Sequence, residues 1–382
     1  MKYFILAGEA SGDLHASALI RALRAEDPEA QFAGLGGDKM AGEGCRLYVH
    51  YREMAYMGYV AVLKNLGKIR RNFQTACAAL EAEKPDVLIL IDYPSFNLKV
   101  ADRCKRALPH TKIVYYIPPK VWAWKKWRVH HIARVADEVL GIFPFEPDFY
   151  RQYGYECTYV GNPTVDAVVD YRLSVIGYRL SDTETPEPRT QNREPIIALL
   201  PGSRASEVSH CLPRMLEAAR RVAQEQGLRI EVAGAPGLTD EFYTPLLHAD
   251  ERLTRDTYHL LTRARAAVVN SGTATLEAAL LGCPEVAVYH LAFPHLLGLL
   301  RPIVFRTPWF TLVNIIARKT VIQELLAYLF TADNVAAELR RILSDEAYKK
   351  DMLASYEHIR TILGDTPAAK VAAQRIVRLV RA

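Results

Sequence analysis

Val87-Leu88-Ile89-Leu90-Ile91-Asp92-Tyr93-Pro94-Ser95-Phe96-Asn97 is the stretch that decides the fold. Five aliphatic residues in a row, with no polar alternation, read as a strand buried on both faces. Strands of that kind belong to parallel sheets covered by helices. Asp92 closes the run, where a carboxylate either caps the next helix or points into the crevice beyond the strand ends. Further strands are expected at Tyr3–Ala7, Gln31–Gly34, Ile113–Ile117, Glu138–Ile142 and Cys157–Val160. Helical patterns begin near Asp13, Val60, Leu98, Lys126 and Glu146. A second series follows, with strands at Ile196–Leu200, Arg229–Ala233, Ala266–Val269 and Glu285–Val288. The alternation predicts two consecutive doubly wound α/β units facing a central cleft.

Periodicity lapses between the two series, and Ser181-Asp182-Thr183-Glu184-Thr185-Pro186-Glu187-Pro188 reads as an exposed linker or insertion. The expected division is an N-terminal domain over 1–170, a linker over 171–194 and a second domain over 195–345. Helices over 346–382 then pack back on the first domain or on a partner subunit. The 382 residues carry 48 Lys+Arg against 43 Asp+Glu, a formal charge of +5. So small an excess fits an anionic ligand or an anionic membrane surface and does not demand nucleic acid. Cys45, Cys77, Cys104, Cys157, Cys211 and Cys283 are too widely spaced for a paired metal or redox motif. Reduced thiols in the cytoplasm are expected. The apolar stretch from Ala287 to Phe305 is broken by His290, Pro294, His295, Arg301 and Pro302, too often for a spanning helix.

The P-loop, the zincin motif, the nucleophile elbow and a complete dinucleotide-binding fingerprint are all missing from the chain. Gly34-Leu35-Gly36-Gly37 comes nearest to the last, but Lys39 holds its third glycine position. What remains is a set of strand-to-helix turns. Gly8-Glu9-Ala10-Ser11-Gly12-Asp13 follows the first strand and would let an anion approach the backbone. Pro201-Gly202-Ser203-Arg204 holds the same place in the second unit, with Arg204 suited to phosphate. Asn270-Ser271-Gly272-Thr273-Ala274-Thr275-Leu276-Glu277 repeats the pattern, with Glu277 one helical turn in and able to meet a ribose diol. Each turn alone is also an ordinary capped βα connection. Together they point towards a nucleotide-sugar site.

Val121-Trp122-Ala123-Trp124-Lys125-Lys126-Trp127-Arg128 mixes indoles with cations, a pattern that divides between core packing and an interfacial role. The segment Tyr59 to Leu80 reads as a helix whose stripe, Val62, Leu66, Ile69, Phe73, Ala76 and Leu80, is ordinary core. Met57, Val60 and Leu63 lie outside that stripe, and Lys64 sits on the face away from it. That end is either a surface helix with a wide apolar face or an acyl and membrane contact flanked by cations.

The ordered set Ala7–Asp13, Met57-Gly58, Ile91–Asn97, Val121–Trp124, Leu200–Arg204 and Ser271–Ala274 resembles the signature of bacterial lipid-A-disaccharide synthases and covers nearly the whole chain. The resemblance implies a GT-B fold and an inverting glycosyl transfer. UDP-2,3-diacylglucosamine and 2,3-diacylglucosamine 1-phosphate (lipid X) would give a β-1,6-linked disaccharide and UDP. Under it, Asp92 acts as general base and Arg204 steadies the departing UDP. Ser203, Arg204, Ser271, Gly272, Thr273 and Glu277 hold the donor, while Gly8, Glu9, Ser11, Gly12 and Asp13 meet the acceptor. It implies no metal and no cofactor, a place at the cytoplasmic face of the inner membrane, and room for a homodimer. Another GT-B enzyme, such as a UDP-sugar epimerase or a transferase to a soluble acceptor, and a non-catalytic lipid-binding protein are the alternatives. In Ser95, in Pro118-Pro119-Lys120 and in Gly161-Asn162 the chain departs from the usual pattern of that family.

Overall fold

Strand β1 (Lys2–Ala7) is flanked by β2 (Gln31–Gly36) and β4 (Val87–Ile91), in parallel register with both, so Ile5 lies between Gly34 and Ile89. The sheet continues through β3 (Arg46–His50) on one side and β5 (Lys112–Tyr116), β6 (Glu138–Gly141) and β7 (Thr158–Tyr159) on the other. Its order is β3-β2-β1-β4-β5-β6-β7, with every pair parallel. The protein is described here by a computed structural model covering residues 1–54, 66–123, 125–177, 194–290 and 308–381. All five residues of β4 are buried, as an unbroken aliphatic run requires. Helices α1 (Ala10–Glu26), α2 (Asp38–Gly42), α3 (Leu66–Glu83), α4 (Pro94–Ala107), α5 (Arg128–Val135) and α6 (Glu146–Arg151) connect the strands.

The helix α7 (Pro163–Gly177) leads into a second sheet. There β8 (Ile196–Leu200), β9 (Arg229–Ala233), β10 (Arg252–Thr254), β11 (Ala266–Asn270), β12 (Glu285–Tyr289) and β13 (Glu324–Leu326) pair in the order β10-β9-β8-β11-β12-β13. Both sheets therefore reverse their order beside the first strand of their series, at β1/β4 and at β8/β11. Those reversals are the topological switch points where ligands of doubly wound folds bind. Among the helices here are α8 (Ala205–Gln226), α9 (Asp240–Tyr243), α10 (Thr257–Arg263), α11 (Thr273–Leu280), α12 (Leu312–Ala317), α13 (Ala332–Ser344) and α14 (Glu346–Leu363). The long α8 ends on Gly227 at φ 65°, the left-handed cap that glycine takes without penalty.

The chain divides into one compact unit of 1–163 with 365–382 and another of 164–364. The boundary thus falls at Pro163 rather than at 170. Of the two closing helices, α14 belongs to the second unit. The last helix, α15 (Ala368–Arg381), returns to the first unit. Ala372, Ala373, Ile376 and Val377 of α15 share a core with Ala16, Leu19, Ile20 and Leu23 of α1. Each large aliphatic side chain buried there contributes about 1.5–3 kcal/mol. Arg375 of α15 also pairs with Glu138 at the start of β6. The linker residues 178–193 and the sequence positions Met57, Val60, Leu63 and Lys64 lie outside the described residues. Among the described residues no helix is long and apolar enough to cross a membrane.

One core group works against stability. Glu285 opens β12 fully buried, and neither carboxyl oxygen has a hydrogen-bond partner among the described residues. Burial holds its carboxyl well above the ordinary range, so the folded chain keeps this proton more tightly than the unfolded chain. That preference stabilises the fold at low pH and is lost as pH climbs from the ordinary carboxyl range towards the raised value. Chemical denaturation across pH should therefore show the wild type losing up to about 1.4 kcal/mol per pH unit relative to Glu285→Gln. Parallel curves for the two proteins would contradict this account.

Candidate active site

The turn after β1 is shorter than the sequence suggests. Helix α1 already begins at Ala10, so Ser11, Gly12 and Asp13 form its first turn and Glu9 is its N-cap residue. Gly8 is buried, and a Cβ there would sit 2.4 Å from the Tyr93 ring. What approaches the Gly8 backbone is thus the residue after Asp92, and the glycine serves to lock two neighbouring turns together. Asp13 is equally committed. Its carboxylate accepts from the backbone N–H groups of Gly37 (2.7 Å), Met40 (3.1 Å) and Lys39 (3.1 Å). It caps α2 from a distance in sequence and so fastens the two turns together. Ser11 is exposed at the helix start and Glu9 half-buried beside it.

Asp92 and Tyr93 both take left-handed backbone conformations, each at φ 43°. Such residues cost on the order of 1–3 kcal/mol each and persist where neighbours over-determine them. Here the Asp92 carbonyl accepts from the Tyr115 hydroxyl and from Asn97 Nδ2, both at 2.8 Å. The Asp92 N–H donates to the Ile117 carbonyl (3.1 Å), and the Tyr93 hydroxyl donates to the Met54 carbonyl (2.7 Å). The strained pair swings the Asp92 side chain out of the strand line to a place that solvent still reaches. Desolvation by the surrounding protein nevertheless raises its carboxyl above the ordinary range, and the nearby Lys120 ammonium and the Tyr93 backbone N–H oppose that rise.

Lys120 follows β5, and Glu146 follows β6, so the charges line up along the C-terminal ends of three adjacent strands. Glu146 is buried and pushed up to about 7 by burial. Against that push it accepts from the N–H groups of Ile142 (2.8 Å) and Phe143 (2.9 Å) and from Trp122 Nε1 (3.2 Å). Trp122 itself is core, edge-on to Phe145 at 5.0 Å, whereas Trp127 is 62% exposed and lies over the Arg128 guanidinium. Arg128 in turn donates to Ser95 Oγ at 3.0 Å. Sequence reasoning missed Lys120 and Glu146. A Glu followed by Pro147 at a helix start was the only trace of the second.

In the second unit Gly202 stands at φ 126°, and a Cβ on it would lie 2.6 Å from Glu207 and 2.8 Å from Asn270. The turns after β8 and β11 meet there. Glu207 accepts from the Ser203 N–H (2.9 Å) and pairs with Arg204 Nη1 (2.8 Å) across the first turn of α8. The sequence missed Glu207, although a Glu three residues after the N-cap Arg204 is capping-box spacing. Gly272 caps α11 without a side chain, and Thr273 begins the helix, so the N–H groups there can receive an anion. Ser271 is half-buried, held by its N–H donating to the Val288 carbonyl at 2.8 Å. Glu277 accepts from the Tyr258 hydroxyl, and burial raises its carboxyl against that bond. Each unit therefore carries its candidate residues at its own switch point, Asp92 in the first and Ser203, Arg204, Ser271, Gly272 and Thr273 in the second.

Comparison with known proteins gives the family and the fold. The family model for lipid-A-disaccharide synthetase matches residues 3–375. Lipid-A-disaccharide synthase of Trichlorobacter lovleyi is 38% identical, over 99% of this chain and 97% of its own. The enzyme of the same name from Myxococcus xanthus is 36% identical with the same coverages. Among solved structures, UDP-GlcNAc 2-epimerase from Neisseria meningitidis bound to UDP-GlcNAc superposes with a TM-score of 0.67 at 10% identity, covering 99% of this chain and 100% of that one. The calicheamicin glycosyltransferase CalG4 gives 0.58 at 13% identity, with 99% and 98% covered. These structural likenesses carry the fold, which is GT-B.

The Asp92 environment makes a measurable statement. Removing the Lys120 charge takes away a force that holds the Asp92 carboxyl down. In Lys120→Met the Asp92 carboxyl should titrate at higher pH than in the wild type, read by carbon NMR of the labelled side chain. An unchanged or lower titration would separate Lys120 from the site.

Proposed function

The chain belongs to the lipid-A-disaccharide synthetase family, and we propose that it transfers the diacylglucosamine of UDP-2,3-diacylglucosamine to the 6-hydroxyl of 2,3-diacylglucosamine 1-phosphate. The products are the β-1,6-linked disaccharide 1-phosphate and UDP. The observation that carries the assignment of roles is Asp92, a carboxylate on a strained turn at the first unit's switch point. Its raised affinity for a proton brings it towards the range in which a carboxylate works as a general base. Asp92 accepts the proton of the acceptor hydroxyl as that oxygen attacks the anomeric carbon. The C–O bond to UDP breaks, and inversion follows from the single displacement.

The second unit binds the donor. Arg204, oriented by Glu207, meets the diphosphate, and its fixed charge offsets the negative charge that grows on the leaving UDP. The N–H groups at Ser271, Gly272 and Thr273 add to that, with Ser203 beside them and Glu277 on the ribose. Gly8, Glu9, Ser11 and Gly12 border the acceptor in the first unit, with Asp13 holding their turn in shape. The enzyme works at the cytoplasmic face of the inner membrane, with acyl and membrane contact at the sequence positions Met57, Val60, Leu63 and Lys64. Nothing in this scheme calls on a metal or a cofactor.

Asp92→Asn keeps the side chain's size and should lower turnover ~10²- to 10⁴-fold while UDP still raises the melting temperature as in the wild type. Near-normal turnover would remove Asp92 from the role of base. Arg204→Ala should weaken UDP binding and turnover together, because its contact exists before and during the reaction. UDP release that does not require the lipid acceptor would instead favour an epimerase or hydrolase. Val60→Ser with Leu63→Ser should reduce sedimentation with anionic vesicles and leave UDP binding intact. Equal sedimentation would move the membrane contact elsewhere.

A further inference from the structure

Two histidines that the scheme above does not use stand face to face beside the donor turns. The rings of His210 and His290 stack with centroids 4.5 Å apart and planes 18° from parallel. His210 lies in α8, in the second turn beyond the N-cap residue Arg204, and His290 directly follows β12. The register Asn270↔Val288 sets the end of β12 beside the Ser271–Thr273 turn. His210 Nδ1 lies 2.5 Å from the Ser206 carbonyl, a geometry in which that nitrogen carries hydrogen. The backbone N–H of His290 faces the Cys211 sulfur, which pins the end of β12 against α8.

Arg214 of α8 acts on His290 directly, and the neighbouring Tyr289 and Cys211 bring with them the charges of Glu207 in α8 and of the N-cap residue Arg204. Burial, His210 and Arg214 all hold the His290 imidazole below its ordinary range. A proton is thus disfavoured on His290, where burial and the Arg214 charge both act against it. A diphosphate held at the neighbouring Ser271–Thr273 turn would bring negative charge towards the pair and favour a proton on it.

We propose that His210 and His290 form a proton-accepting part of the donor site, which takes up a proton as the diphosphate of a nucleotide binds and gives it up when the nucleotide leaves. The inference rests on the donor-site reading of the second unit and adds a pH linkage to it. A stacked pair suits this role better than a single imidazole. Its two rings share one added charge, and the second ring resists a second proton by repulsion. Release of UDP then returns the proton, so product departure is favoured as pH rises.

Calorimetric titration of the full chain with UDP, in buffers of different ionisation enthalpy, reads the protons exchanged. The wild type should take up more protons than the His210→Gln, His290→Gln double variant, a difference that cancels the titration of UDP itself. The ratio of their UDP affinities should grow as pH falls from about 8 to about 6, by at most about tenfold per pH unit for one linked proton. Uridine, which lacks the diphosphate, should show no difference between the proteins. His290→Lys, with a permanent charge, should bind UDP well and lose the pH dependence. His210→Gln alone, at an exposed position, keeps the test open if the double variant does not fold. Equal proton uptake and parallel pH profiles in wild type and folded variants would overturn the proposal and leave the donor site standing. Failure of the wild type to bind UDP at all would overturn the donor-site reading and this inference with it.

Discussion

At each switch point a glycine accommodates a residue from the neighbouring strand's end, and the placement of the candidate residues in both units depends on that contact. Gly8 lies under the Tyr93 ring in the first unit, and Gly202 lies against Asn270 in the second. A methyl group at either place would overlap a neighbour at well under 3 Å. The two turns at each reversal of strand order are therefore held as one body. Residues far apart in sequence, such as the Gly8 turn and Asp92, keep a fixed spacing without any bond between their side chains. Gly202 carries a second demand, since its φ of 126° lies where L side chains are strained.

The first unit concentrates its electrostatic tension in one row. Asp92, Lys120 and Glu146 stand at the ends of adjacent parallel strands, where the sheet brings their loops to the same edge. Burial disfavours charge on all three, and each opposite charge partly restores it. The backbone strain at Asp92 and Tyr93 is compatible with a stable fold because four hydrogen bonds from Tyr115, Asn97, Asp92 N–H and Tyr93 brace the turn. Strain, partial burial and a neighbouring cation are the features by which a strand-end carboxylate differs from a routine helix cap. In the second unit the emphasis is reversed. Arg204 is exposed, its pair with Glu207 is worth little as stability, and the value of that pair is orientation.

Much of the architecture was legible in the residues. Continuous aliphatic runs such as Val87–Ile91 and Ile196–Leu200 announce buried parallel strands because they need no partner pattern to be recognised. The strands that escaped notice are β3, β10 and β13, which lie at sheet edges. Arg46, Arg252 and Glu324 begin them, and a strand covered on fewer sides has less need of apolar residues. The sequence reading starts the first helix near Asp13, whereas α1 begins at Ala10 and takes in Gly12, a poor helix former. Packing on Ala7 and the engagement of Asp13 with three backbone N–H groups override that local preference. The sequence reading sends both closing helices back to the first domain or to a partner subunit, whereas α14 stays with the second unit. Only the complementary faces of α1 and α15 send the last helix back to the first unit.

The sequence by itself determined the fold class, the two α/β series and the turns that hold Asp92, Arg204 and the Ser271–Glu277 segment. Those are properties of local runs and of short spacings, which a strand or helix expresses wherever it lies. Only the tertiary structure decided that Asp13 is a fastener, that Lys120 and Glu146 stand in line with Asp92, that Glu207 orients Arg204, and that His210 stacks on His290. Charges and rings acquire these roles through distance and desolvation. Both are set by which strands become neighbours in the sheet, and chain order does not display that.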